Sequence, residues 1–395
     1  MRPATRVEVI RPPAEAAGPV PPNVRVAPDG LPPGIVEAAP DVVTTPVTPP
    51  DASLPPEVPP GASPADAAEE SLPAPAGSNV IALILPLDVP AYERAAGAVR
   101  DGFLDAAEAA GMRGNCVVLA HGVDGVVSAF DAARARGVRV AVGPLVRDDL
   151  ATLAMSGAKL PWTVALNQLD GEARLPGAIF TFPLTVESDG RMLAQRALAT
   201  GARTVDVISG DSQLMKRFAT AFATAWRDQG GQVPDAFRFD GAPEALTGLR
   251  RTLIKSSPDA VLLAVNGDRA ALLKPFIGNI RAYASGLVFE RPSQAVARDL
   301  DDVRVVEIPW LLTPNAPEFS AVPRRDFDSA ALARLYALGL DAFRVAAAFE
   351  NGPPRRFDLD GATGHISLAP GRQFVREGKL AVYRNGELVP LETAP

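Results

Sequence analysis

Ile81-Ala82-Leu83-Ile84-Leu85-Pro86-Leu87 is the stretch on which the reading of this chain turns. Five apolar residues in a row, with no polar alternation, describe a strand covered on both faces. The period then changes. Tyr92, Ala95, Ala96, Val99, Phe103 and Ala107 recur on one helical face, while Glu93, Arg94, Arg100, Asp101 and Glu108 fall mostly on the other. A buried strand followed by an amphipathic helix is the repeating unit of a parallel sheet sandwiched between helices.

The same alternation runs on toward the C-terminus. Strand-like runs recur at Val80 to Leu85, Cys116 to Ala120, Val138 to Val142, Trp162 to Leu166, Ala178 to Phe182, Thr204 to Ile208, Ala260 to Val265, Gly286 to Phe289 and Val303 to Ile308. Helical patterns fill most of the gaps, as at Leu214, Phe218, Ala221, Phe222 and Ala225. So many strands exceed one comfortable core, so the expectation is α/β, with two doubly wound parallel-sheet lobes joined by a hinge. A long helix is read from Phe327 to about Phe349. After it come a strand-and-turn region and a hairpin at Arg384-Asn385-Gly386-Glu387, where Asn-Gly supplies the positive φ angles of a type I′ turn.

Upstream of the opening strand the composition is different. Half of the 40 prolines precede Ser78, and no aromatic residue appears before Tyr92. A stretch so poor in buriable surface cannot offset its conformational entropy, so residues 1–78 are expected to form a disordered tail. As polyproline it would advance ~3.1 Å per residue and could act as a tether. It holds four Arg and ten Asp or Glu, a net of −6, which leaves −1 of the total −7 for the rest. Neither part carries the basic stripe that a phosphate backbone requires, so no nucleic-acid partner is expected. No stretch approaches the ~20 apolar residues of a membrane-spanning helix, and Met1–Ile10 lacks the apolar core of a secretory signal.

Several of these pieces, taken together, resemble the LppC/LpoA family of penicillin-binding-protein activators. They are Ile81 to Leu87, Ala98-Val99-Arg100-Asp101-Gly102-Phe103, Val142-Gly143-Pro144-Leu145, Ala165-Leu166-Asn167, Ile308-Pro309-Trp310-Leu311-Leu312, Arg334 to Arg344 and Gly361 to Leu368, in that order. The resemblance covers residues 79–395. It implies a type I periplasmic-binding-protein-like module, in which lobe one comprises about 79–183 and 309–352, and lobe two about 184–308 and 353–395. It also implies a non-enzymatic envelope protein, periplasmic and anchored at the outer membrane, whose partner is a bifunctional peptidoglycan synthase. The chain departs from the family pattern in two respects: a proline-rich stretch stands where a helical repeat domain precedes the module, and the lipid-accepting cysteine is missing. The alternative is a solute-binding protein for an amino acid or similar small molecule.

Ligands of open α/β sheets sit beyond the carboxyl ends of the strands, which makes Asp88, Tyr92, His121, Gln168, Asp211 and Asn266 the cleft candidates. Pro144 removes a backbone donor from one such loop, and Ser209-Gly210-Asp211-Ser212 reads first as a helix cap. Trp310, where the chain would cross between lobes, is read as a hinge aromatic packed beneath the cleft. With two histidines and one cysteine, Cys116, no metal site and no cofactor are expected. Cys116 itself is read as a small buried hydrophobe. No nucleophile elbow or phosphate loop occurs, and Asp148-Asp149 and Asp301-Asp302 read as solvated or helix-starting charges, so catalysis is not expected.

Overall fold

The computed structural model describes residues 80–169, 174–232, 235–290 and 293–391; the tail expected at 1–78 lies outside them. The opening run forms β1 (Ile81–Leu85), buried at every position. It pairs in parallel with β2 (Cys116–Ala120) on one side and β3 (Val140–Val142) on the other. β4 (Trp162–Ala165) and β5 (Ile179–Thr181) extend the sheet beyond β3. The second sheet is built the same way from β6 (Val205–Ser209), β7 (Asp235–Arg238), β8 (Ala260–Ala264), β9 (Arg281–Ser285) and β10 (Val303–Glu307).

One face of the first sheet carries α1 (Glu93–Ala109) and α11 (Ala330–Ala347); the other carries α2 (Val126–Ala135) and α3 (Arg147–Met155). In the second sheet, α4 (Val186–Ala199) and α5 (Gln213–Asp228) cover one face. On the other lie α6 (Pro243–Ser256), α7 (Gly267–Ile277) and α9 (Gln294–Asp299). Two short helices, α8 (Gly286–Phe289) and α10 (Pro309–Leu312), follow β9 and β10. The two-lobed, doubly wound reading therefore holds, with strands from the C-terminal stretch, paired antiparallel among themselves, added at one edge of each sheet.

Those added strands correct one expectation. The segment 353–395 was placed whole in lobe two, but β11 (Asp358–Asp360), β12 (His365–Ala369) and β13 (Gln373–Glu377) join the first sheet beside β5. Only β14 (Lys379–Arg384) and β15 (Glu387–Pro390) join the second. The cause is packing: Phe374 of β13 sits in a ring cluster with Phe180, Phe182, Phe349 and Phe357, which ties this stretch to β5 and the end of α11. The β14–β15 turn has Asn385 at φ 53° and Gly386 at φ 82°, as the Asn-Gly signal requires.

A second correction concerns Gly286–Phe289, expected as a strand and found as α8. The ladder with β10 ends at Ser285, whose hydroxyl accepts the Leu287 N–H and starts a helix instead. The strand that does form there, β9, lies earlier, at Arg281–Ser285. β7, an edge strand with a charge at each end, gave no apolar signal to read.

Helices α1 and α11 touch backbone to backbone. A Cβ on Gly102 would run into the Tyr336 carbonyl, and one on Gly339 into the Val99 carbonyl. Each helix thus presents a glycine to the other, and Phe103 meets Phe343 edge to face at 5.4 Å beside the contact. Gly339→Ala is expected to destabilise the chain by more than about 2 kcal/mol in urea unfolding, because neither backbone can yield without moving its helix. Gly97→Ala, in the same helix pair but with nothing within 4 Å of its added methyl, should instead stabilise by up to ~1 kcal/mol. Equal effects at the two positions would refute the close-contact argument.

Candidate functional site at the junction of the lobes

The chain passes between the lobes three times: between β5 and α4, between β10 and α10, and between β13 and β14. Charged side chains are buried at each passage. Glu307, the last residue of β10, accepts from Arg334 of α11 on both oxygens, at 3.0 and 2.5 Å, and from its neighbour's Ile308 N–H at 2.9 Å. Arg376 of β13 donates to Asp189 of α4 at 2.9 Å, and to the carbonyls of Thr185 at 3.3 Å and Thr363 at 3.4 Å. The Ser285 hydroxyl donates to the other Asp189 oxygen. All four charged residues are no more than 5% exposed.

Burial pushes the Asp189 carboxyl above its usual range, opposed by the Arg376 charge and the Ser285 hydroxyl. Burial likewise works against the Arg334 charge, but Glu307 outweighs it and holds the guanidinium protonated. Small residues make room for the network. A Cβ on Gly286 would collide with the Glu307 carboxylate, and one on Gly378 with Val306 at 2.7 Å. Asp341 of α11, fully buried, adds a third anchor: it accepts the N–H groups of Ala362 at 2.9 Å and Thr363 at 2.7 Å, and the Thr363 hydroxyl at 2.7 Å.

Above this floor the lobes leave two adjoining cavities. One, of about 890 Å³, is lined by Pro90, Ala91 and Arg94 at the start of α1, by Glu290 beyond α8, and by Trp310 and the stretch 324–333. The other, of about 460 Å³, reaches from Glu290 past Leu311 and the Glu307–Arg334 pair to Tyr383 and Leu388. Trp310 is 4% exposed, packed against Phe319 at 5.3 Å and Tyr336 at 5.4 Å.

The six strand-end candidates line neither cavity. Asp88 is exposed, and Tyr92 is buried at the start of α1. His121 is buried, its Nδ1 2.9 Å from the Gly122 carbonyl and its Nε2 3.8 Å from an oxygen of Asp149 in the first turn of α3. Gln168 accepts from Gln373 at 3.2 Å. Asp211 pairs with Arg238 at 2.5 Å. The Asn266 side chain accepts the Arg269 N–H and caps α7, as Ser212 caps α5. Asn167 donates to the Leu145 carbonyl and accepts the Gln168 N–H, so polar atoms beyond β4 are engaged with their own loops. Cys116 is half-buried, and burial pushes its thiol up to about 11. Sequence reasoning missed Asp189, Glu307, Arg334 and Arg376 because each reads as one more surface charge; the small pair Ser285-Gly286 beside Glu307 was the one available hint.

Comparison with known proteins places this geometry among relatives. A family model described as "LppC putative lipoprotein" matches residues 76–386. Proteins named penicillin-binding protein activator LpoA are 26% identical over 304 residues in Pectobacterium parmentieri and 26% over 302 residues in Escherichia coli K12. Each match takes in 65% of this chain and 45% or 44% of the relative, so the chain spans less than half the length of these relatives. Among solved structures, one described as a "putative branched-chain amino acid ABC transporter" from Chromobacterium violaceum is 30% identical. It has a TM-score of 0.67, and the match covers 77% of this chain and all of that one. The LpoA C-domain of Haemophilus influenzae, described as a regulator of PBP1A, superposes with a TM-score of 0.68 at 21% identity, over 79% of this chain and 99% of that one. No helix among the described residues is long and apolar enough to cross a membrane.

Breaking one buried pair strands its partner. Arg334→Met is therefore expected to cost ~3–5 kcal/mol in urea unfolding, and the double variant Arg334→Met/Glu307→Leu to recover most of it; a single-variant loss below about 1 kcal/mol would show that the pair carries no such constraint. His365 offers a pH signature. Its Nδ1–H donates to the Asp360 carboxylate at 3.0 Å, its Nε2 lies 3.5 Å from Asp358, and the Asp360 bond raises its pKa. A raised histidine pKa favours the folded state below the unfolded value of ~6.5, and the gain is lost as pH rises through the folded value. An NMR titration should place His365 above ~6.5, and Asp360→Asn should lower it.

Proposed function

The chain belongs to the LppC putative lipoprotein family, and from that membership we propose that it is a non-enzymatic module of the cell envelope that binds and activates a peptidoglycan synthase, a class A penicillin-binding protein. The observation that carries the reading is the family match, which runs through nearly all of both lobes. Relatives in several organisms bear the name penicillin-binding protein activator. Periplasmic, outer-membrane-anchored placement and the synthase partner belong to the same proposal.

The physical design is in keeping with a scaffold. Hydroxyl and amide groups at the strand ends are spent on helix caps and loop contacts. Buried ion pairs join residues of the three passages. The synthase would then dock on a surface whose shape exists beforehand, which lowers the ordering cost of association.

The match to the Chromobacterium violaceum structure favours a second reading, capture of a branched-chain amino acid. Against it, the loop after β3 offers Pro144, Leu145 and Val146, all buried, where an amino-acid carboxylate would need hydroxyls and free N–H groups.

Two measurements separate the readings. Added to a purified class A penicillin-binding protein, the full chain should raise the rate of glycan polymerisation from lipid-linked precursor; an unchanged rate at saturating chain would overturn the proposal. Leucine, isoleucine and valine should leave the melting temperature where it is. A ligand at 100 times its Kd adds ~2.7 kcal/mol, so a rise of several degrees would move the assignment to solute capture.

A further inference from the structure

Among the described residues, the larger junction cavity contains one guanidinium that has no ion pair. Arg324 lies over the Trp310 ring, 4.6 Å from its centroid, and has no carboxylate partner among the described residues. Its neighbour Arg325 is committed: it holds Asp105 at 2.6 and 2.8 Å and lies 3.7 Å from Asp101. Asp105 also accepts the Tyr336 hydroxyl at 2.7 Å. Burial alone would raise the Asp105 carboxyl, but these bonds hold it below the usual carboxylate range. Arg325 therefore fastens this stretch to α1, and Arg324 is laid across Trp310 as a result.

A stacked guanidinium is a prepared anion receptor. The ring takes up its face, while the N–H edge that fits a carboxylate stays free. The opposite charge is also at hand. Asp326 lines the same cavity and has no ion pair or hydrogen bond among the described residues. Arg94 and Asp328, also in the lining, neutralise each other at 2.6 Å. Between these charges the walls are apolar, from Ala91, Ala95 and Leu332.

A cavity of about 890 Å³ is large for one amino acid and of the size that takes drug-sized ligands. We propose that it binds a short zwitterionic peptide, with the free carboxylate on Arg324, the free ammonium toward Asp326, and small apolar side chains between. The site is distinct from the strand-end loops and does not rest on the synthase reading.

Titration calorimetry of the full chain with the tripeptide Ala-Leu-Ala tests the assignment. The free peptide should bind saturably at one site. Its C-terminal amide and its N-acetyl form should each bind at least about tenfold more weakly, because each loses a charge-assisted contact. Arg324→Gln should weaken the free peptide by the same factor with only a small fall in melting temperature, since Arg324 is exposed and has no ion pair among the described residues, its contact being the Trp310 ring. No saturable heat with the free peptide at millimolar concentration, equal affinity for acid and amide, or undiminished binding by Arg324→Gln would each overturn the proposal. The acid–amide comparison reads the contact on the parent chain and does not depend on how the variant folds. Synthase stimulation by Arg324→Gln is a separate readout: retained stimulation with lost peptide binding separates the two activities, whereas peptide binding without stimulation by the parent chain removes the synthase reading and leaves this site standing.

Discussion

Two arginine–carboxylate pairs buried where the chain passes between the sheets set the relation of one lobe to the other. Arg334 reaches from α11 in the first lobe to Glu307 at the end of β10 in the second. Arg376 reaches from β13 in the first lobe to Asp189 of α4 in the second. Such pairs add little net stability over apolar side chains of the same shape, because desolvation cancels most of the attraction. What they impose is a geometric condition. Any placement of the lobes that separates them leaves a charge uncompensated in a low-dielectric interior, which is far more costly than losing an apolar contact.

The condition propagates through the small residues. Gly286 and Gly378 admit the Glu307 carboxylate and the β13-to-β14 passage at distances that no side chain would permit. Gly102 and Gly339 let α1 and α11 meet along their backbones, and α11 is the helix that carries both Arg334 and Asp341 to the junction. Packing along α11 and charge pairing at the passages are therefore one structural problem: moving the helix by the width of a methyl group would misplace two buried charges.

The shape of the junction is set by these buried pairs. The larger cavity between the lobes is bounded by committed charges, Arg325 with Asp105 and Arg94 with Asp328, and by Arg324, which is positioned by its neighbours and has no carboxylate partner among the described residues. The residues closest to a ligand chemistry thus come from the stretch between α10 and α11, not from the loops at the strand ends where the fold's geometry first directs attention.

Periodicity by itself determined the architecture. The unbroken apolar run at Ile81–Leu85, the helical spacing of Tyr92 to Ala107 and the Asn385-Gly386 turn are local signals, and each appears in the structure because burial and backbone sterics act within a few residues. Where β11–β13 would go was not local. The residues Phe357 and Phe374 look like those of any strand, and only their cluster with Phe180, Phe182 and Phe349 selects the first sheet. The buried charges were hidden for the same reason. Arg376 and Asp189 are 187 residues apart, and a charged side chain in a sequence carries no mark of whether solvent or a distant counter-ion will satisfy it. Pairing at that range is settled by the three-dimensional arrangement of the passages, which tertiary structure alone decided.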